Sequence, residues 1–198
     1  MRVFVFALAV AISCLAAVPE VDKGKAMGSP AAPVKIEVFA SFDCPHCRAF
    51  EEEVVPQLVR DFVVPGKVYL INRAFPLSGP YHPYAREAAN YATAAARIGR
   101  YTEVSQALFN QQAKWATDGK VWETVASVLT PSEQKKVQEL VKTPTVQAEV
   151  QREYDEGVAA GVNATPTIIV TNGARRYPIP SQDLNYGFLR SLISGMVK

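Results

Sequence analysis

Cysteine is scarce in this chain, with three among 198 residues, at positions 14, 44 and 47. That excludes a small scaffold stapled by several disulfides, so stability must come from a buried core. Histidine is scarcer, with two residues. A four-ligand zinc site would have to combine Cys44, Cys47, His82 and His46, and His46 lies inside the cysteine pair, so no metal is expected. Charge of one sign is almost absent: 21 basic against 19 acidic residues leave a net +2, which gives no footing for nucleic acid or an acidic polymer. Glycine-rich phosphate loops, internal repeats and low-complexity tracts are missing too, so nucleotide chemistry has no support and no cofactor is called for. No apolar run reaches the ~20 residues of a membrane-spanning helix.

The apolar run that does exist, Val3 to Ile12 behind Met1-Arg2, has the length of a signal-peptide core. Residues 1–16 are therefore expected to be an export signal. Cleavage after Ala16 would place Cys14 and Ala16 at the small-residue positions. Ala11-Ile12-Ser13-Cys14 also resembles a bacterial lipoprotein box, with Cys14 lipidated and Ala11 where leucine is usual; a retained anchor is the third reading. The expected location is periplasmic or otherwise extracytoplasmic, tethered to the membrane if Cys14 is lipidated. With the leader gone, Cys44 and Cys47 are the remaining thiols.

Those two stand in Cys44-Pro45-His46-Cys47, between a strand-like run, Val34 to Ala40, and a helix-like one, Arg48 to Phe62. At a helix start, an i, i+3 pair shares one face about 5–6 Å apart at Cβ, close enough to close a disulfide. The stretch reads as a reversible thiol/disulfide switch. Cys44 at the helix end is the expected nucleophile, because unpaired N–H groups and the macrodipole favour a thiolate there. Cys47, on the apolar stripe with Phe50, Val54, Leu58 and Phe62, is the expected resolving thiol. Protonated His46 would add positive charge. A Cys44 pKa of about 4.5 would stabilise the reduced pair at pH 7 by roughly 3.4 kcal/mol, or roughly 70 mV. Asp43 would oppose the thiolate, and Glu51, Glu52 and Glu53 read as a solvated face.

Along the chain, residues 17–33 are rich in Ala, Gly, Pro and Lys and read as a flexible lead-in, too short for a separate dimerisation domain, which points to a monomer. Pro56 predicts a kink in the first helix. Lys67 to Ala74 is a second strand. Residues 83–161 read as helices only, with a small-residue face of Ala85, Ala88, Ala89, Ala92, Ala95 and Ala96. Thr130-Pro131-Ser132-Glu133 is a capping-box start. Thr143-Pro144 opens a helix carrying Val146, Val150, Tyr154 and Val158 and ending at Gly161. Thr167 to Val170 and Arg175 to Ile179 are strands joined through Asn172-Gly173. Ser181 is the expected cap of a closing helix with Leu184, Phe188, Leu192 and Met196 inward. His82 reads as structural or surface, Trp115 and Trp122 as core, and Phe42, Phe75 and Leu77 as either an apolar rim or core.

Two segments carry a family resemblance: Phe42-Asp43-Cys44-Pro45-His46-Cys47-Arg48, and Gly161-Val162-Asn163-Ala164-Thr165-Pro166-Thr167. With the helical block between them, the chain from about Ala32 to Lys198 resembles the DsbA-like branch of the thioredoxin superfamily. The resemblance implies an α/β fold: a thioredoxin-fold domain at 34–82 and 162–198, interrupted by an all-helical insertion at 83–161. It implies a cis Thr165–Pro166 bond beside the cysteine pair, with Thr165 and Pro166 binding an extended substrate segment. It implies a thiol-disulfide oxidoreductase that introduces disulfides into cysteine-containing exported proteins and exchanges electrons with a redox partner. A reductase or isomerase is the alternative, since Thr165 replaces the oxidase valine; a redox-inert peptide-binding module is the alternative of another class. Relatives often carry an acid six residues before the first cysteine, as proton acceptor for the buried thiol. That position is Val38 here, and Glu37 points to the opposite face, where it reads as a surface charge.

Overall fold

The computed structural model describes residues 22, 24–179, 181 and 184–197. The readings of 1–16 as a leader and of Cys14 as a lipidation site lie outside them. A five-stranded sheet of order β1-β3-β2-β4-β5 organises the molecule, with β1 at Ala26–Met27, β2 at Val34–Ala40, β3 at Val68–Ala74, β4 at Thr167–Asn172 and β5 at Arg175–Ile179. Only β2 and β3 run parallel. Among the described residues no helix is long and apolar enough to cross a membrane.

Alternation along β2 divides its side chains between two layers. Val34, Ile36 and Val38 join Leu70, Ile168 and Val170 beneath α1 (Pro45–Glu53), α2 (Val55–Leu58) and the closing helix α9 (Tyr186–Met196). The first helix breaks at Val54, next to Pro56, and resumes through α2 into a π-helical turn at Val59–Val63, as the proline predicts. The other face of β2 carries Phe39, packed with Phe75 and Ile169. In sequence between β3 and β4 come α3 (Ala85–Ala96), α4 (Tyr101–Asn110), α5 (Gln112–Asp118), α6 (Val121–Ala126), α7 (Pro131–Val141) and α8 (Pro144–Ala159). The alanine face of α3 is buried throughout, and Trp115 is wholly enclosed. Trp122 is half-buried against Tyr91.

Several local expectations shift. The stretch read as a flexible lead-in contains β1, paired with Ile71 and Leu70, and buried Asp22 and Lys25. Their carboxylate and ammonium meet Arg73 at 2.6 Å and Glu153 at 2.8 Å, which holds the segment to the sheet. On α8 the buried face is Val146, Val150, Glu153 and Gly157, while Val158 is exposed. Steps of four residues turn about 400°, so the expected set drifts off one face, whereas steps of four, three and four stay on it. Gly157 is forced: a Cβ there would lie 2.7 Å from Phe75 and 3.0 Å from Phe39. The hairpin turn is Gly173-Ala174, with Asn172 still paired to Arg175 and only Gly173 at positive φ, 56°. Asn185, not Ser181, caps α9 by accepting from the Phe188 N–H. That later start turns Leu189 and Ile193 inward and leaves Phe188 exposed.

The capping box at α7 forms as its sequence requires: Thr130 Oγ1 accepts the Glu133 N–H, and the Glu133 carboxylate accepts the Thr130 N–H. Thr130→Ala is expected to cost about 1 kcal/mol in urea unfolding. No loss would show that α7 is held by packing alone.

Candidate active site

Strand β2 hands over to α1 through Ser41, Phe42, Asp43 and Cys44, and this loop is tied from three directions. Ser41 Oγ accepts the Leu77 N–H at 3.1 Å and donates to Asp43 at 2.5 Å. The second Asp43 oxygen lies 2.6 Å from His82 Nδ1. From the helical side, buried Gln112 donates to the carbonyl oxygens of Phe42 at 2.6 Å and Cys44 at 3.0 Å. Phe42 packs on Phe109, ring centroids 4.9 Å apart, and half-buried Leu77 joins that cluster. Phe75 faces away, stacked on Tyr154.

Cys44 occupies the N-cap of α1 in an extended conformation, with Pro45 at the first helical position, where its missing N–H costs nothing. Cys44 and Cys47 are free thiols and both are buried. The Cys44 sulfur lies 3.3 Å from the carbonyl oxygen of Thr165. The Thr165–Pro166 bond is cis, and Thr165 is buried. Pro166 also borders a groove of about 460 Å³ lined by His46, Ala49, Phe50, Glu53 and Leu184.

This geometry separates the two thiols electrostatically. A hydrogen bond from the Cys47 thiol holds Cys44 well below the ordinary thiol range, down to about 5; burial opposes this, while the Thr165 hydroxyl and the backbone N–H groups of Cys47 and His46 assist. Cys47 moves the other way. Burial pushes it far up, reinforced by its donation to Cys44 and by the charge developing there. The pair can thus hold one ionised and one protonated sulfur at neutral pH. His46 contributes through its backbone N–H; its ring is exposed.

Sequence reasoning missed Gln112 and the pairing of His82 with Asp43, and only spatial proximity identifies them. It also placed Glu37 and Glu51 at the surface. Glu37 is buried and bound to Arg73 at 2.8 Å and Lys35 at 3.0 Å. Burial works against its charge, but these cations outweigh it and hold the carboxyl below its usual range. Glu51 lines two cavities; its i+4 spacing from Cys47 was the available signal. The carboxylates of Asp22, Glu149 and Glu153 approach within 4.8 Å of one another. Arg73, Arg152, Arg97 and Lys25 already pair with them, so that cluster offers a metal no uncompensated charge.

Comparison with known proteins agrees with this architecture. A family model described as Thioredoxin matches residues 20–185. Disulfide bond formation protein D of Bacillus subtilis is 22% identical over 165 residues, spanning 78% of this chain and 70% of that protein. The crystal structure of oxidised BdbD from Bacillus subtilis superposes with a TM-score of 0.72 at 22% identity, covering 88% of this chain and 94% of that one. Wolbachia pipientis α-DsbA1 gives 0.68 at 19% identity, covering 87% and 90%. The chain belongs to the thioredoxin family and has the DsbA-like form of its fold.

Proposed function

We propose that this thiol-disulfide oxidoreductase introduces disulfides into cysteine-containing proteins outside the cytoplasm, with Cys44 as the sulfur that substrates attack. The carrying observation is the asymmetry of the pair: Cys44 drawn down to about 5 and Cys47 held protonated. A substrate thiolate attacks Cys44 of the Cys44–Cys47 disulfide, forming a mixed disulfide as the Cys47 sulfur leaves and takes up a proton. A second substrate thiolate then attacks the substrate sulfur of that mixed disulfide. The substrate disulfide forms, Cys44 departs as a thiolate, and two electrons have moved to the pair. A separate redox partner must take them away. A low-pKa sulfur is a good leaving group, and its stability in the reduced protein raises the potential. The groove beside Pro166 suits an extended segment of the client. Extracytoplasmic placement is part of this reading, resting on Val3 to Ile12. So is the division into a redox fold at 34–82 and 162–198 and a helical insertion at 83–161.

Cys47→Ala tests the chemistry. The variant is expected to accumulate dithiothreitol-sensitive mixed disulfides with disulfide-bearing client proteins, the Cys44 thiolate attacking the client disulfide and releasing the client's other sulfur as a thiol, approaching one per molecule. Purely reversible association would instead make the groove a peptide-binding module. Direction is read from the equilibrium of the pair with glutathione. A potential above about −200 mV is expected, and one near about −270 mV would make the protein a reductase.

A further inference from the structure

Asp43 stands next to the nucleophile, one residue before the N-cap of α1. A carboxylate there threatens a thiolate in two ways. It is drawn to the unpaired N–H groups of a helix start, where aspartate is a preferred cap, and its charge repels a second anion nearby. The N–H groups at stake are few. Pro45 has none, and those of His46 and Cys47 are the ones that favour the Cys44 thiolate.

Both Asp43 oxygens are engaged elsewhere. One accepts the Ser41 hydroxyl at 2.5 Å, and the other lies 2.6 Å from His82 Nδ1. A carboxylate only accepts, so Nδ1 carries the proton and donates. The Asp43 side chain is 5% exposed, so these two donors, rather than bulk water, satisfy it. The imidazole comes from the loop between β3 and α3, whose near end is tied to the same turn by the Leu77 N–H on Ser41 Oγ at 3.1 Å. The backbone of the turn has separate supports. Gln112 holds the carbonyl oxygens of Phe42 and Cys44, and the Cys44 N–H donates to the Ser41 carbonyl at 3.2 Å. His82 therefore bears on the Asp43 side chain rather than on the path of the chain.

We propose that His82 is a positioning residue for thiol–disulfide exchange: with Ser41 it occupies the Asp43 carboxylate and so reserves the helix-start N–H groups for the Cys44 sulfur. Cys44 is then free to depart as a thiolate when the client disulfide forms. Without the imidazole, one Asp43 oxygen loses its donor. That oxygen turns toward the N–H groups of His46 and Cys47, or stays as an uncompensated charge beside the sulfur, and either outcome disfavours the thiolate.

The inference rests on Cys44 being the sulfur that substrates attack, and a control separates the two. In the reduced protein the thiolate absorbance step must vanish in Cys44→Ala and survive, displaced, in Cys47→Ala. The opposite pattern would overturn the nucleophile assignment and the inference with it. His82→Ala is expected to lower the Cys44 acid dissociation constant about tenfold, and to shift the equilibrium with glutathione at pH 7 about tenfold toward the oxidised protein. His82→Asn puts an amide N–H where Nδ1 was and is expected to stay within about twofold of wild type. Asp43→Ala decides between a sequestered rival and a plain loop tie. If His82 only anchors its loop, Asp43→Ala breaks the same tie and lowers the constant as His82→Ala does. If Asp43 is the rival, its removal leaves the constant at or above wild type, and adding His82→Ala changes nothing further. His82→Phe, a ring without a donor, carries the test if the alanine variant unfolds in lower urea, and the same fall is expected of it. A constant lowered in Asp43→Ala, or unchanged in both His82→Ala and His82→Phe, would overturn the inference.

Discussion

Glutamine in place of Glu153 is expected to destabilise the fold by about 3–5 kcal/mol, the largest loss anticipated from any substitution considered. Glu153 is wholly buried on α8. One carboxylate oxygen accepts Lys25 Nζ at 2.8 Å and the Ala74 N–H at 2.7 Å; the other lies 3.9 Å from Arg73. Glutamine has the same shape, so no cavity opens, and its amide oxygen can still accept the Ala74 N–H. What disappears is the counter-charge of a lysine that is itself buried. An ammonium left without a partner in a low-dielectric interior costs more than the pair contributed when intact. Lys25 precedes β1 directly, so Ala26 and Met27 should loosen from Ile71 and Leu70. Urea unfolding gives the free energy, and amide exchange at Met27 locates the loss. Replacing both partners, Lys25→Met with Glu153→Leu, should recover part of it, because neither charge of that pair is then buried, while the Ala74 N–H loses its acceptor. A loss below about 1 kcal/mol for Glu153→Gln would show that water reaches Lys25.

The reduced protein is expected to gain about 2 kcal/mol of stability between pH 5 and pH 7, relative to the oxidised protein. The sign follows from proton counts. In the unfolded chain Cys44 has an ordinary thiol pKa near 9.0, and in the folded chain about 5. Between these values the unfolded state holds a proton that the folded state has released, so stability rises with pH. The contribution is complete above pH 9 and is lost as pH falls through 5. The gradient would approach 1.4 kcal/mol per pH unit for a fully sheltered group, and solvent at the groove mouth reduces it. Oxidised protein has no Cys44 thiolate and should lack this gradient. The same stabilisation at pH 7 corresponds to roughly 40 mV toward the oxidant side, less than the more strongly lowered pKa taken from sequence would give. Parallel urea curves on both redox forms measure the gradient, and thiolate absorbance locates the midpoint. Equal gradients, or a midpoint near 9, would remove the electrostatic basis of the oxidising assignment.

The readable parts of the chain are those where neighbouring residues carry the signal. Val34, Ile36 and Val38 share a face because strands alternate, and Thr130 caps α7 because Glu133 stands three residues on. Cys44 and Cys47 meet because one helical turn separates them. The misread parts depend on what covers a surface. Alternation puts Glu37 opposite Val38, but only the ion network of Arg73 and Lys35 shows that this face is buried. Glu51 looks like one of three solvated acids until α4 and the segment before β1 close over it. Val158 falls on the exposed side because successive steps of four residues drift around the helix.

By itself the sequence carried the chemistry proposed for the site, because an i, i+3 cysteine pair at a helix start brings two sulfurs within disulfide reach. It also determined the order of strands and helices, through local periodicity, caps and turns. The tertiary structure alone decided how the two sulfurs differ. The Cys44 thiol donates to the carbonyl oxygen of Thr165, 121 residues away in sequence, the Thr165 side chain favours the thiolate, and the loop that presents the sulfur is held by Gln112 and His82. Cys47 is kept protonated by burial against α3 and α4, helices remote from it in sequence. A pKa is set by desolvation and by the groups within a few ångströms, and no local pattern records which distant residues those will be.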